Sequence, residues 1–178
     1  MSFPRSDAPG ELRKLEEFCN SARFLSSEDS LITPASTALW LRERGLATAE
    51  PSRKEHEQLV AFRETLRDFL GGQRRAAAVP ALNRLAKSTL SGIQWSAAGE
   101  PMLPPRKPGG TEGLIAALLG ILFAAGVTGE LGRLKTCRNP ACRSVFYDRS
   151  PGQTGTWCSM DVCGARNKMR SYRSRHAG

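Results

Sequence analysis

From about residue 10 to residue 129, apolar residues recur at helical spacing and capping residues punctuate them. Leu12, Leu15, Phe18, Cys19 and Ala22 define a first helix. A second begins at Thr33, a capping residue followed by Pro34 at the first helical position. It closes at Gly45, after Leu39, Trp40 and Leu41. The third opens on Ser52 and Glu55, spaced as a capping box. It carries Leu59, Val60, Phe62, Leu66, Phe69 and Leu70 and stops at Gly71-Gly72. A shorter helix spans about Val79 to Lys87, with Leu82 and Leu85 inward. Between Leu90 and Pro105 the rhythm changes. Ile93 and Trp95 alternate with polar neighbours, and Ala98-Gly99-Glu100-Pro101 supplies a turn before Met102 and Leu103, which predicts a short hairpin. A proline- and glycine-rich loop follows, then Thr111 as the cap of an apolar helix over Leu114 to Ala125. Gly126 and Gly129 mark a join. The predicted fold class is mainly α: a helical domain with a small β-hairpin over residues 1–129, and a second module over 130–178.

The helical body carries no catalytic constellation and predicts no enzyme. His56 lies on the polar side of a charged helix and reads as solvated. The carboxylates stand beside arginines at spacings that suit surface ion pairs. The glycine-rich stretches match neither a phosphate-binding loop nor a dinucleotide fingerprint. A pocket between the helices for a small-molecule effector stays open. Cys19, alone in its helix, reads as a small buried hydrophobe. The apolar run Leu114 to Val127 is shorter than a membrane span and contains glycine, so it reads as a core helix. Met1-Ser2-Phe3-Pro4-Arg5-Ser6-Asp7 has no apolar stretch of a secretory signal behind it. The expected location is the cytoplasm, with no membrane partner.

Chemistry concentrates in the C-terminal module. Cys137 and Cys142 form one C-x4-C pair, Cys158 and Cys163 a second, and 15 residues separate them. In a reducing compartment such pairs hold metal more often than they form disulfides. Four thiolates suit tetrahedral Zn²⁺ and leave no open position, so the expected role of the ion is structural. A knuckle at Cys137–Cys142, strand-like Val145-Phe146-Tyr147, a turn at Ser150-Pro151-Gly152 and a final helix bearing the second pair would resemble a treble clef. Ser159 or an adjacent residue is placed to cap that helix, whose N-terminus favours thiolates. With so few apolar residues, such a unit relies on metal for its stability.

Charge sharpens the picture. From Arg133 to Gly178 there are ten Lys and Arg against two Asp and Glu, which accounts for +8 of the net +9. Such asymmetry points to a polyanionic partner. Arg166, Arg170 and Arg173 fall on one face of the last helix, and Lys168, Tyr172 and Arg175 on a neighbouring one. Arginine forks bind phosphate or the guanine edge, and a helix fits the major groove of duplex DNA, so Arg166, Lys168, Arg170, Arg173 and Arg175 are the candidate contacts. Arg166 has an alternative as a hydrogen-bonding support of the knuckle. Phe146 and Trp157 read as hydrophobic support for the metal site. One helix offers few contacts, so a homodimer or partner reading a second half-site is implied. Two rivals remain open: RNA binding, with Trp157, Phe146 or Tyr172 as stacking surfaces, and a zinc-organised adaptor for another protein.

The string Cys137-x4-Cys142, Phe146-x-Asp148-x-Ser150, Trp157-Cys158-Ser159-Met160-x2-Cys163-Gly164-Ala165-Arg166-x-Lys168 resembles the CGNR zinc finger. Ala165 stands where the namesake Cys-Gly-Asn-Arg has asparagine, and Gln153-Thr154-Gly155-Thr156 lacks basic residues often found there. Upstream, Asn20 followed by Asp29-Ser30-Leu31-x2-Pro34 and Leu39-Trp40-Leu41-x3-Gly45-Leu46 is similar to the ABATE domain that commonly precedes this finger. Together they cover nearly the whole chain. The resemblance implies a bacterial, stress-induced transcription regulator that binds DNA, with its larger domain sensing a ligand.

Overall fold

Side-chain caps open two of the α-helices in the computed structural model, which describes residues 8–46, 49–72 and 74–176. The Met1–Asp7 segment read above for a secretory signal lies outside them. Helix α1 (Leu12–Cys19) buries Leu12, Leu15, Phe18 and Cys19. Ala22, expected in the same helix, instead begins strand β1 (Ala22–Arg23), paired antiparallel with β2 (Glu28–Asp29). The helix stops because its next polar groups are claimed elsewhere. The Asn20 amide is bound to the backbone of Val145, and the Ala22 carbonyl accepts from Arg67 Nη2 at 2.6 Å.

Helices α2 (Pro34–Glu43) and α3 (Arg53–Gly71) start as the sequence predicts. The Thr33 hydroxyl accepts the Ser36 amide at 3.1 Å and Ser52 Oγ accepts the Glu55 amide at 3.3 Å. The Glu55 carboxylate returns the bond by accepting the Ser52 amide at 2.8 Å. Gly72, at φ +77°, ends α3 in a conformation open to glycine. His56 is not simply solvated: it is half-buried, with Nε2 2.9 Å from the Leu31 carbonyl, and ties α3 to the loop after β2. Helix α4 (Arg75–Thr89) begins a turn earlier than expected. Arg75-Ala76-Ala77-Ala78 are good helix formers, and Pro80 sits inside the helix. The hairpin forms as predicted, β3 (Gln94–Trp95) against β4 (Pro101–Met102), with Gln94 opposite Met102 and Trp95 opposite Pro101.

Helix α5 (Gly110–Val127) is capped by Gly109 at φ +78°, not by Thr111, which is buried in the first turn. Its 18 residues are long and apolar enough to cross a membrane. Here Leu114, Ile115, Leu118, Leu119 and Leu122 are buried in the core, and the helix packs on α1, α3 and α4. Gly129 leads into strand β5 (Leu134–Thr136), which pairs antiparallel with β6 (Val145–Tyr147). Side chains of successive strand residues point to opposite faces. Val145 and Tyr147, with Leu134, therefore join the main core, while Phe146 joins a second cluster built on Cys137, Cys142 and Cys163. The hairpin is a wall between helical body and cysteine site. The last helix, α6 (Ala165–His176), buries none of its residues.

Candidate metal centre and basic helix

The β5–β6 hairpin delivers the first cysteine pair. The Cys137 amide donates to the Ser144 carbonyl at 2.8 Å, extending the ladder one step past the strands. Between them the chain turns around Asn139, a buried residue for which the sequence offered no role. Its carbonyl accepts the amides of Cys142 and Arg143 at 2.9 and 3.1 Å, and its Oδ1 accepts the Ala141 amide at 3.2 Å. Its Nδ2 points across the site, 3.6 Å from Cys163 Sγ. One side chain thus shapes the first knuckle and reaches the second.

Of the second pair, only Cys163 sits on the final helix, in a widened turn, Met160–Gly164, that continues into α6; Cys158, expected on the same helix, lies in the bend just before its Ser159 cap. Ser159 caps the turn, accepting the Val162 amide at 3.3 Å, and its carbonyl accepts the amides of Cys163 and Gly164, both at 3.0 Å. Gly164 lies against the end of the exposed Met160 side chain, which would have to give way slightly to any larger residue here. A β-carbon there would lie 3.3 Å from the Met160 side chain and 3.6 Å from Trp157. Ala165, where the namesake tetrapeptide has asparagine, is exposed at the first position of α6.

These turns bring all four sulfurs within 4.8 Å of one another. Cys142 and Cys158 Sγ are 3.5 Å apart, and Cys158 and Cys163 Sγ 3.8 Å. Four sulfurs tetrahedrally disposed at the Zn–S distance of about 2.3 Å would be separated by about 3.8 Å, so the cluster fits one such ion. Sulfurs this close cannot all ionise unaided. Hydrogen bonds from Cys137 and Cys158 hold Cys142 well below the ordinary thiol range. The same bond pushes Cys137 up to about 12, and Cys158 is raised by its bonds to Cys137 and Cys142. A cation at the centre would remove that conflict. Cys19 is fully buried away from the cluster, and burial pushes its thiol up to about 12, as suits a small core hydrophobe.

Asp148 holds the loop between the pairs. It is fully buried and accepts from Lys135 Nζ at 2.8 Å, Ser150 N at 3.0 Å, Ser150 Oγ at 2.7 Å and Gly155 N at 2.7 Å. Lys135 also donates to the Gln153 carbonyl. Burial alone would raise the Asp148 carboxyl, but these bonds outweigh it and hold it well below the usual carboxylate range. Asp148→Ala strands Lys135, which is partly solvated, and the loop amides, and is expected to cost about 2–3 kcal/mol, read as a lower thermal midpoint of the metal-loaded chain.

A charge network sequence reasoning did not foresee fixes the module to the body. Arg63 and Arg67 of α3 are buried, not surface partners of neighbouring acids. Arg63 grips Asp29 with both terminal nitrogens, at 2.7 and 2.8 Å, and Ser21 Oγ at 3.1 Å. Glu64 accepts from Arg63 at 2.9 Å, from Arg67 at 3.0 Å and from Arg143, the residue after Cys142, at 3.3 Å. Arg143 also reaches Asp68 at 2.6 Å. On the other side, the Asn20 amide meets β6 like an added strand: Nδ2 donates to the Val145 carbonyl at 2.8 Å and Oδ1 accepts its amide at 2.9 Å.

All five predicted contact residues, Arg166, Lys168, Arg170, Arg173 and Arg175, are exposed on α6. Arg166, Arg170 and Arg173 line one groove with Met169, as their spacing predicts. Among the described residues Arg166 makes no hydrogen bond to the knuckle. Phe146 is buried, Trp157 is packed against the cysteines, and Tyr172 stacks on His176 at 4.1 Å between ring centres. Of the three proposed stacking surfaces, only Tyr172 is exposed.

Residues 15–129 match the family model of ABATE, described as "putative stress-induced transcription regulator". The chain belongs to the ABATE family. Residues 133–176 match the CGNR zinc finger, so the cysteine module of this ABATE protein is of that kind. Neither family is catalytic, in keeping with a protein that is not an enzyme. No curated protein matches the chain. Asn20 and Asp29, residues of the ABATE pattern, are the groups that clasp β6 and neutralise Arg63.

Proposed function

We propose that this ABATE protein is a transcription regulator that binds duplex DNA through α6, with Zn²⁺ held by Cys137, Cys142, Cys158 and Cys163. The observation that carries the reading is a helix of 12 residues, buried nowhere, with five Lys and Arg and no acid. Zinc with four thiolates has no free position for chemistry, so its part is to fix the turn from which α6 projects. Arg166, Arg170 and Arg173 face one groove and supply phosphate or guanine contacts, while Lys168 and Arg175 extend the charge to the flank. A single helix reads few base pairs, and a twofold pair of chains on a palindromic site supplies the rest of the specificity. An effector has a place to act: a cleft of about 490 Å³ lies between Trp40 and Arg44 of the body and Ser144 and Cys158 of the module.

The test is charge reversal on the exposed helix. Arg170→Glu with Arg173→Glu is expected to weaken duplex binding at least about 100-fold, because each neutralised phosphate contributes to the counterion term. Zinc content and melting temperature should not change. Unaltered duplex affinity in that variant would refute α6 as the contact. Single-stranded RNA that outcompetes duplex DNA would replace DNA by RNA as the partner.

A further inference from the structure

A cleft of about 280 Å³ opens between the C-terminal end of α3 and the Cys137–Cys142 turn. Its walls carry Arg67, Arg74, Arg138 and Arg143 against one carboxylate, Asp68. Asp68 is engaged at 2.6 Å by Arg143 and stands 4.0 Å from Arg74. Glu64, behind, is divided among Arg63, Arg67 and Arg143. Four guanidiniums thus face two carboxylates, one of them shared with a fifth arginine. Among the described residues, the Arg138 side chain has no hydrogen bond or ion pair, and buried Arg67 leaves Nε without a partner. Burial, reinforced by Arg63 and Arg143 and opposed by Glu64, holds the Arg67 guanidinium below its ordinary value. Helix α4 starts at this edge with no side-chain cap on its first turn, so the positive end of its dipole faces the same side.

We propose that this cleft binds a phosphate group between Arg74, Arg138 and Arg143. Guanidinium forks match the oxygens of a phosphate in paired hydrogen bonds, and several around one anion outcompete its hydration. The cleft shares no lining residue with the groove along α6. It is therefore a second anion site, beyond the contact surface proposed above. A phosphate seated there would touch the α3–α4 corner and the residue after Cys137 at once, and would lock the knuckle to the helical body. The phosphate comes either from the backbone of a bound nucleic acid or from a free phosphorylated small molecule.

The experiment uses the full zinc-loaded chain, freed of excess Zn²⁺, and the variant Arg74→Ala with Arg138→Ala. Both side chains are exposed, so the fold should survive, which an unchanged zinc content and melting temperature in chloride would verify. Inorganic phosphate is titrated against chloride at matched ionic strength. Duplex DNA is titrated separately at several salt concentrations. A free-phosphate site predicts a rise in melting temperature of about 3–6 °C once phosphate exceeds its Kd about tenfold, absent in the variant. A backbone site predicts duplex affinity three- to tenfold weaker in the variant, with the log–log salt slope reduced by about 1–2. The proposal is overturned if phosphate stabilises no more than chloride and the variant binds duplex with the parent's affinity and slope. Should the parent bind no DNA, the reading of α6 fails alone, and the phosphate arm still decides the cleft.

Discussion

Replacing Cys163 by serine is expected to lower the melting temperature of the whole chain, not only of its last 46 residues. Cys163 is fully buried and receives Asn139, so its sulfur joins the two knuckles. Three thiolates bind zinc far more weakly than four, and structural zinc contributes on the order of 10 kcal/mol to small metal-dependent folds. The loss should spread because the hairpin that carries the first knuckle is also core. Leu134, Val145 and Tyr147 pack with Leu15, Phe62 and Leu66, and Asn20 holds the edge of β6. A loss of about 4 kcal/mol in a chain of this size corresponds to a fall of about 8–16 °C. Calorimetry with metal analysis checks it. Zinc at parental stoichiometry with an unshifted transition would rule out the four-thiolate site, and lost zinc with an unshifted transition would rule out the shared wall.

Asp29→Ala carries the second large effect, far from any cysteine. It removes the two-pronged partner of Arg63, whose side chain is 3% exposed, and leaves a buried cation facing only Glu64 and Ser21. Breaking such a pair from one side costs about 3–5 kcal/mol; Asp29 is partly solvated, so the lower end, about 3 kcal/mol, is expected. Replacing both partners, Asp29→Leu with Arg63→Met, should recover much of the loss, since no charge is then stranded. Urea unfolding of the three variants separates these outcomes. The pH dependence follows from the carboxyl. Burial alone would raise Asp29, but the bonds from Arg63 and the Leu31 amide outweigh it and set it below its ordinary 3.8. Its contribution is thus fully present above that value and disappears as pH falls through the lower folded one. Parent and Asp29→Ala should differ fully at pH 6 and converge as pH falls below 3.8; a difference that does not shrink in acid would place the effect in packing instead.

Much of the scaffold was legible because local rules decided it. Thr33 and Ser52 bond to amides three residues on, within their own helices, so no tertiary knowledge is needed to place α2 and α3. The four cysteines were equally clear, since spacing alone keeps the members of each pair close. What escaped was settled by partners distant in sequence. Ala22 left its helix because Arg67, 45 residues away, takes its carbonyl. Asn20 acts on Val145, 125 residues away. Arg63 and Arg67 did leave a trace: they lie on the stripe of Leu59, Phe62, Leu66 and Leu70, where a charge must be buried and paired. The sequence held no mark of which acid pairs with which arginine, because that depends on the β1–β2 turn bringing Asp29 over α3. Asn139 was invisible for a similar reason, since its reach to Cys163 exists only once both knuckles have folded.

The decisive experiment is zinc-dependent binding of duplex DNA. Fluorescence anisotropy of the zinc-loaded chain titrated onto labelled duplex, repeated at several salt concentrations and after chelation, reads both the binding and its need for zinc. The account predicts binding whose logarithm falls linearly with log salt, with a slope magnitude of about 3–5 for a helix with five cationic side chains, and its loss on chelation. No binding at low salt, or binding indifferent to the removal of zinc, would contradict it.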